Sequence, residues 1–298
     1  MSPCASRWMG ASMALSACSR WGGGSRVANP RQHVISTPSG PVAVTVAGDG
    51  PPVLLLHGFP EHRGIWHPLM AELAGGFRLV APDLPGFGDS PAPHRETAMR
   101  GDRIGAALAA MMRALGHRRF AVVCHDIGAV AGWAMAAAWP GTIAGLALVA
   151  AVPPAAYLAA VPDLDARGAR RHVARLLSGD ADFVTADHLS AWLAEPVARA
   201  TLAMAIGRSS PTAMRALYRE NLVPAAADFW LGLAAPRSPI LQVLGDQDPF
   251  LPLSLFPEMP SHRHVLHGAD HFLPTSAPKA LAAVLRPWLA AVATTPSF

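Results

Sequence analysis

From about Pro41 onward, short unbroken apolar runs alternate with amphipathic stretches. Val53-Leu54-Leu55-Leu56 is such a run and gives way to turn residues at Gly58. A continuous apolar run bounded by a turn predicts a strand buried on both faces. Residues 78–81, 120–124, 146–151, 239–244 and 264–266 repeat the pattern. Between them, residues 97–115 and 127–138 carry helical spacing, and residues 276–292 predict a terminal amphipathic helix. Strands alternating with helices specify an α/β chain, with a mostly parallel sheet covered by helices on both faces.

The alternation stops between Pro154 and about Pro236. Residues 169–177, 186–193, 198–206 and 211–222 all read as helices, with no strand between them. An all-helical insert followed by a return to strands predicts a lid over the C-terminal edge of the sheet, where open α/β sheets bind their ligands. The expected division is a core of residues 36–153 and 237–298 with a lid at 154–236. Residues 1–35 read as a disordered leader or an over-long gene start. The first 48 residues contain no Asp or Glu. Within them, the weakly apolar run 8–18 is too short to span a bilayer, and it carries Gly10, Ser12 and Ser16 where a signal segment favours leucine.

Composition narrows the classes. Of 298 residues, 51% are hydrophobic and 15% charged, so the chain can bury a large core. The net charge of +4 looks like a polyanion signal, but the arginines are scattered and Lys279 is the only lysine. A nucleic-acid partner is therefore not expected, and neither is a membrane partner. Cys4, Cys18 and Cys124 form no paired framework, which suits a reducing compartment. The expected location is cytoplasmic; Leu15-Ser16-Ala17-Cys18 would make it exported if residues 1–18 were a lipoprotein-type signal. Nothing in the sequence specifies an oligomeric state.

Candidate chemistry sits at the strand ends. Val122-Val123-Cys124-His125-Asp126-Ile127-Gly128 runs strand, sharp turn, helix, the pattern of a nucleophile elbow, with Asp126 at the exposed position. Taken alone, Asp126 reads better as a helix cap. The wider set decides between them. His57-Gly58-Phe59-Pro60 follows the first buried strand, where one backbone N–H of an oxyanion hole is donated; Phe59 and Ile127 are the expected donors. Asp248 and His271 follow two later strands, in the order nucleophile, acid, histidine. His262, His264, His267 and His271 lack a matching carboxylate or thiolate set, so no metal and no other cofactor is expected.

His57-Gly58-Phe59-Pro60-Glu61, Asp83-Leu84-Pro85-Gly86-Phe87-Gly88-Asp89-Ser90 and the His125-Asp126 elbow resemble the epoxide hydrolase and haloalkane dehalogenase branch of the α/β-hydrolase superfamily. The resemblance covers roughly residues 41–289 and is poorest in the lid. It implies an α/β-hydrolase fold, Asp126 as nucleophile, His271 as base, Asp248 as its acid partner, and a cis peptide before Pro60. Cys124, where the elbow usually has Gly, and Asp270, where Gly commonly precedes the histidine, depart from the pattern.

A carboxylate is anionic at neutral pH and needs no base for its first attack. It suits displacement at a saturated carbon of a small-molecule substrate, giving an alkyl ester that water then hydrolyses. Attack on a carboxylic ester would give an anhydride, which argues against an esterase. The resemblance implies a lid tyrosine pair for an epoxide and a Trp after the nucleophile, or nearby Arg, for a halide. Ile127 and Val130 supply neither. Tyr218 lies 30 residues before Asp248 and is followed by Arg219, the family's spacing for the second lid tyrosine. The first donor falls to Tyr157, which sits early for the family, or to His172, near the right distance. Trp66 is a further candidate for the pocket wall, with His67 beside it. Epoxide hydrolysis is the favoured expectation; a haloalkane or haloacetate dehalogenase and an inactive hydrolase-fold binding protein are the alternatives.

Overall fold

The computed structural model describes residues 30–294 except 181, 192, 194–195 and 257–261. The segment 8–18 and most of the expected leader lie outside the described residues. Residues 31–35, placed with that leader on sequence grounds, instead form most of a strand.

The described residues build one eight-stranded sheet in the order β1-β2-β4-β3-β5-β6-β7-β8. Strands β1 (Arg31–Thr37) and β2 (Gly40–Ala47) form an antiparallel hairpin, and β2 continues antiparallel onto β4. Strands β3 (Pro52–Leu56), β4 (Arg78–Pro82), β5 (Phe120–His125), β6 (Ile143–Val149), β7 (Ile240–Gly245) and β8 (His262–Leu266) run parallel. Side chains alternate between the two faces of each central strand. Leu54, Leu56, Val122, Cys124, Leu146 and Leu148 pack on one face, while Val53, Leu55, Ala121, Val123, Ala147 and Val149 pack on the other.

Helices α1 (His67–Leu73), α2 (Gly101–Ala114) and α3 (Ala129–Ala138) precede the insert. The helix expected over 97–115 is broken at Arg100, whose extended backbone (ψ 141°) separates a 3-10 turn, Glu96–Met99, from α2. Between β6 and β7 the chain is helical: α4 (Pro154–Ala159), α5 (Val161–Ala166), α6 (Arg171–Ser178), α7 (Ala186–Ser190), α8 (Pro196–Arg208), α9 (Pro211–Asn221) and α10 (Ala227–Gly232). Helices α11 (Leu273–Ser276) and α12 (Pro278–Thr294) close the chain. Asn221, at the end of α9, is fully buried and accepts from the Gly101 N–H at 2.8 Å, tying the insert to α2. None of the described helices is long and apolar enough to cross a membrane.

Candidate active site

Asp126 follows β5 directly and has φ 48°, a left-handed conformation that non-glycine residues seldom adopt. That turn lifts the carboxylate out of the sheet, and the next residues, Asp126–Gly128, form a 3-10 turn leading into α3. The neighbouring loop after β3 must come very close. A Cβ on Gly58 would lie 2.6 Å from the Asp126 Cβ, so only glycine lets the two loops meet. The loop then turns through a cis Phe59-Pro60 peptide, and the Phe59 N–H donates to Asp126 Oδ2 at 3.0 Å. Ile127 lines the same cavity immediately after the elbow. His57 braces the loop from behind, with Nε2 accepting from the Leu84 N–H at 2.9 Å and Nδ1 2.8 Å from the Gly58 carbonyl.

Asp248 and His271 come from the loops after β7 and β8. His271 Nδ1 lies 2.7 Å from Asp248 Oδ2, and its Nε2 faces Asp126 Oδ1 at 3.7 Å. With Nδ1 donating to Asp248, the Nε2 lone pair points at the elbow, which is the tautomer a base requires. Burial alone would raise the Asp248 carboxyl. The hydrogen bond and charge of His271, with the Phe250 and Leu251 N–H groups, outweigh burial and hold it below the usual range. Asp246 turns away, accepting from the Gly268 N–H and pairing with His267. Asp270 also turns away, taking the Phe272 N–H and the hydroxyl of Ser276, the last residue of α11.

These groups open into a cavity of about 210 Å³ whose wall is mostly apolar, including Val130, Val152, Phe183, Leu189 and Phe250. Tyr157, His172 and Tyr218 from the helical insert line it together with Asp126 and His271. Tyr218 stands edge-on to Phe59 (5.3 Å) and to His172 (6.2 Å). Burial and the Asp126 charge hold its hydroxyl well above the usual phenol range, so it stays protonated. Burial pushes the His172 imidazole down to about 4, leaving it neutral at pH 7.

Trp66 is not in the cavity wall, contrary to expectation. The 3-10 turn Arg63–Trp66 carries it into the core on the other face of the sheet, with Ile65, Leu69 and Met70, where it meets the His125 ring edge-on at 6.5 Å. Nor does His67 line the cavity. Cys124 is fully buried, and burial raises its thiol, so it is no second nucleophile.

The profile of the alpha/beta hydrolase fold matches residues 51–273, most of the chain. The chain belongs to the α/β-hydrolase fold family. Among curated relatives, epoxide hydrolase 2 of Siraitia grosvenorii is 40% identical over 100 residues, 33% of this chain and 32% of that protein. Fluoroacetate dehalogenase of a Burkholderia species is 35% identical over 113 residues, 36% of each. These matches span about a third of the relatives' own length. The crystal structure of an epoxide hydrolase from Vigna radiata aligns over 88% of this chain and 98% of its own, with TM-score 0.72 and 21% identity, a likeness of fold.

Beneath this hydrolase-fold elbow lies an ion pair that the motifs contained without revealing. His125 Nδ1 is 2.7 Å from Glu61 Oε2, and its Nε2 is 2.9 Å from the His271 carbonyl oxygen. Glu61 Oε2 also accepts from the Gly58 N–H at 3.1 Å. One buried pair therefore joins the end of β5 to the loops after β3 and β8. Burial opposes charge on both partners, but their mutual attraction prevails: the His125 ring is pushed up to about 9 and the Glu61 carboxyl is lowered. The raised histidine contributes stability that is fully present below its ordinary 6.5 and is lost as pH rises through about 9. The lowered carboxyl contributes stability present above its ordinary 4.5 and lost as pH falls through its depressed value. Thermal melts should therefore show the wild type losing stability between about pH 6.5 and 9 more steeply than Glu61→Gln. Parallel curves for the two proteins would refute the charged pair.

Proposed function

We propose that the chain hydrolyses epoxides through an alkyl ester on Asp126. The observation that carries this reading is the protonated Tyr218 phenol in the same cavity as a carboxylate at a nucleophile elbow. Phe59 holds Oδ2, which leaves Oδ1 free to attack an epoxide carbon. The C–O bond breaks, and the departing oxygen takes a proton from Tyr218. Water beside His271 then gives a proton to Nε2 and attacks Cγ. The charge that develops on Oδ2 is met by the Phe59 N–H, with the Ile127 N–H as its expected partner. Asp248 steadies the imidazolium through Nδ1. On collapse the second oxygen leaves with the proton held by His271, and the proton of the regenerated carboxyl returns to Tyr218, so epoxide plus water gives a diol and the resting enzyme.

The cavity supports a neutral, lipophilic substrate. Among the described residues that line it there is no Arg or Lys to hold the carboxylate of a haloacid. Ile127 and Val130 offer no side-chain N–H to a halide. At about 210 Å³ it exceeds the roughly 150 Å³ that accepts benzene, so an aryl or short alkyl epoxide fits. The names of the Siraitia relative and the Vigna structure agree with this reading. The decisive test incubates His271→Ala with epoxides and with haloalkanoates. An intact mass raised by one whole epoxide, mapped to Asp126, is the expected result. Adducts from haloalkanoates alone, or none from any substrate that the wild type turns over, would overturn it.

A further inference from the structure

A second cleft lies where the turn of the β1–β2 hairpin, the loop after β4 and the start of α2 meet. Its volume is about 420 Å³, against about 210 Å³ for the active-site cavity, and the two share no lining residue. Arg95, Arg100 and Arg103 line it, and no Asp or Glu is among the described residues that do. Arg100 is committed. Its Nε and Nη2 donate to the two Asp102 oxygens at 2.7 and 2.9 Å, and its guanidinium lies over the Phe229 ring. Arg103 comes only within 3.7 Å of the same carboxylate, and its side chain is 66% exposed. The Arg95 side chain makes no hydrogen bond or ion pair among the described residues, and neither do the hydroxyls of Ser39 and Thr97, which line the same cleft. Three guanidiniums against one carboxylate leave a net charge of about +2.

Like charges gathered in one cleft repel each other, and an anion between them relieves that repulsion. A guanidinium offers parallel N–H groups that match the oxygens of a carboxylate or phosphate. Two uncommitted cations and two uncommitted hydroxyls suit a phosphate, with about two charges and three acceptor oxygens, better than a carboxylate. The rest of the lining is apolar: Pro85, Pro93 and the face of α2 that carries Ile104 and Ala107. The volume leaves room for a hydrocarbon body, since roughly 150 Å³ already accepts benzene. We propose that this cleft binds a small organic phosphate monoester, with its phosphate on Arg95 and Arg103 and its hydrocarbon against α2. The site does not depend on the epoxide reading. The 3-10 turn Glu96–Met99, which carries Thr97, also seats α9: the Met99 carbonyl accepts from Asn221 Nδ2 at 2.8 Å, and Glu96 pairs with Arg219. A ligand in the cleft therefore braces the segment that holds the Tyr218 helix to the core, and it should raise the melting temperature.

Phenyl phosphate is the probe, titrated by calorimetry and by thermal melts into the full-length wild-type protein at low salt. A Kd below about 1 mM is expected, weakening as NaCl is added. Arg95→Ala and Arg103→Ala should each weaken binding about 10-fold, the scale of one charge-assisted contact. Ala106→Trp, at an exposed position of α2 that lines the cleft, should occupy the hydrocarbon's place and remove binding. All three variants should melt near the wild type without ligand. Inorganic phosphate, which has the charge without the ring, should bind about 10-fold more weakly than phenyl phosphate. Benzyl alcohol, the ring without the charge, should not displace it. No binding to the wild type at millimolar concentrations, or equal affinity in the wild type and all three variants, overturns the site. Equal affinity for inorganic phosphate overturns the organic part and leaves a patch for anions. Competitive inhibition of epoxide turnover that persists unchanged in Arg95→Ala places the probe in the Asp126 cavity and overturns the site as well. Because binding is the readout, the result is separate from success or failure of the epoxide reading.

Discussion

Replacing Asp126 by alanine is expected to lower turnover by on the order of 10⁵–10⁶-fold, the scale of removing a covalent nucleophile, while the protein still folds. The side chain is 23% exposed to the cavity, so its loss leaves no buried void. The Phe59 N–H then loses its partner, and alanine is held at φ 48° where aspartate is better tolerated. Together these should cost about 1–2 kcal/mol. Steady-state rates with an epoxide and a thermal melt of the same sample check both halves of the statement. A folded Asp126→Ala protein with activity near wild type would remove the carboxylate mechanism altogether. Asp126→Asn is the poorer variant, because an amide beside His271 can slowly hydrolyse back to aspartate.

Tyr218→Phe should lower ring opening by roughly 10²–10⁴-fold with little change in melting temperature. The ring is buried and would stay packed edge-on against Phe59 and His172. None of the hydrogen bonds made among the described residues uses its hydroxyl, so deleting that oxygen strands no protein partner. The loss should appear in ester formation and leave hydrolysis of a preformed Asp126 ester unchanged, since the proposed mechanism gives that later step to His271 and Phe59. Equal slowing of both steps would assign Tyr218 to the architecture of the lid and not to proton transfer.

The central strands, the helical insert and the elbow were legible in the sequence because each is encoded within a few consecutive residues. An unbroken apolar run such as residues 53–56 can only be a doubly covered strand in this context, and His125-Asp126-Ile127-Gly128 encodes its own turn. The order of Asp126, Asp248 and His271 at strand ends carried the rest of the candidate triad. The hairpin β1–β2 escaped the pattern: β1 is an edge strand, mostly exposed, and has no continuous apolar run.

What only the tertiary structure decided were the partnerships between distant loops. Glu61 meets His125 because β3 and β5 are neighbours in the sheet. His271 returns to the elbow because the loop after β8 folds back over the end of β7, where a Cβ on Gly245 would lie 2.2 Å from the Ala269 carbonyl. The side on which a residue falls was likewise undecided by local pattern. A short turn rotates Trp66 into the far core, and α4 starts so soon after β6 that Tyr157 reaches the cavity despite its early position. Local sequence determines which backbone shapes are available. Sheet order and loop closure determine which side chains meet, and those depend on contacts across tens to hundreds of residues that no short motif contains.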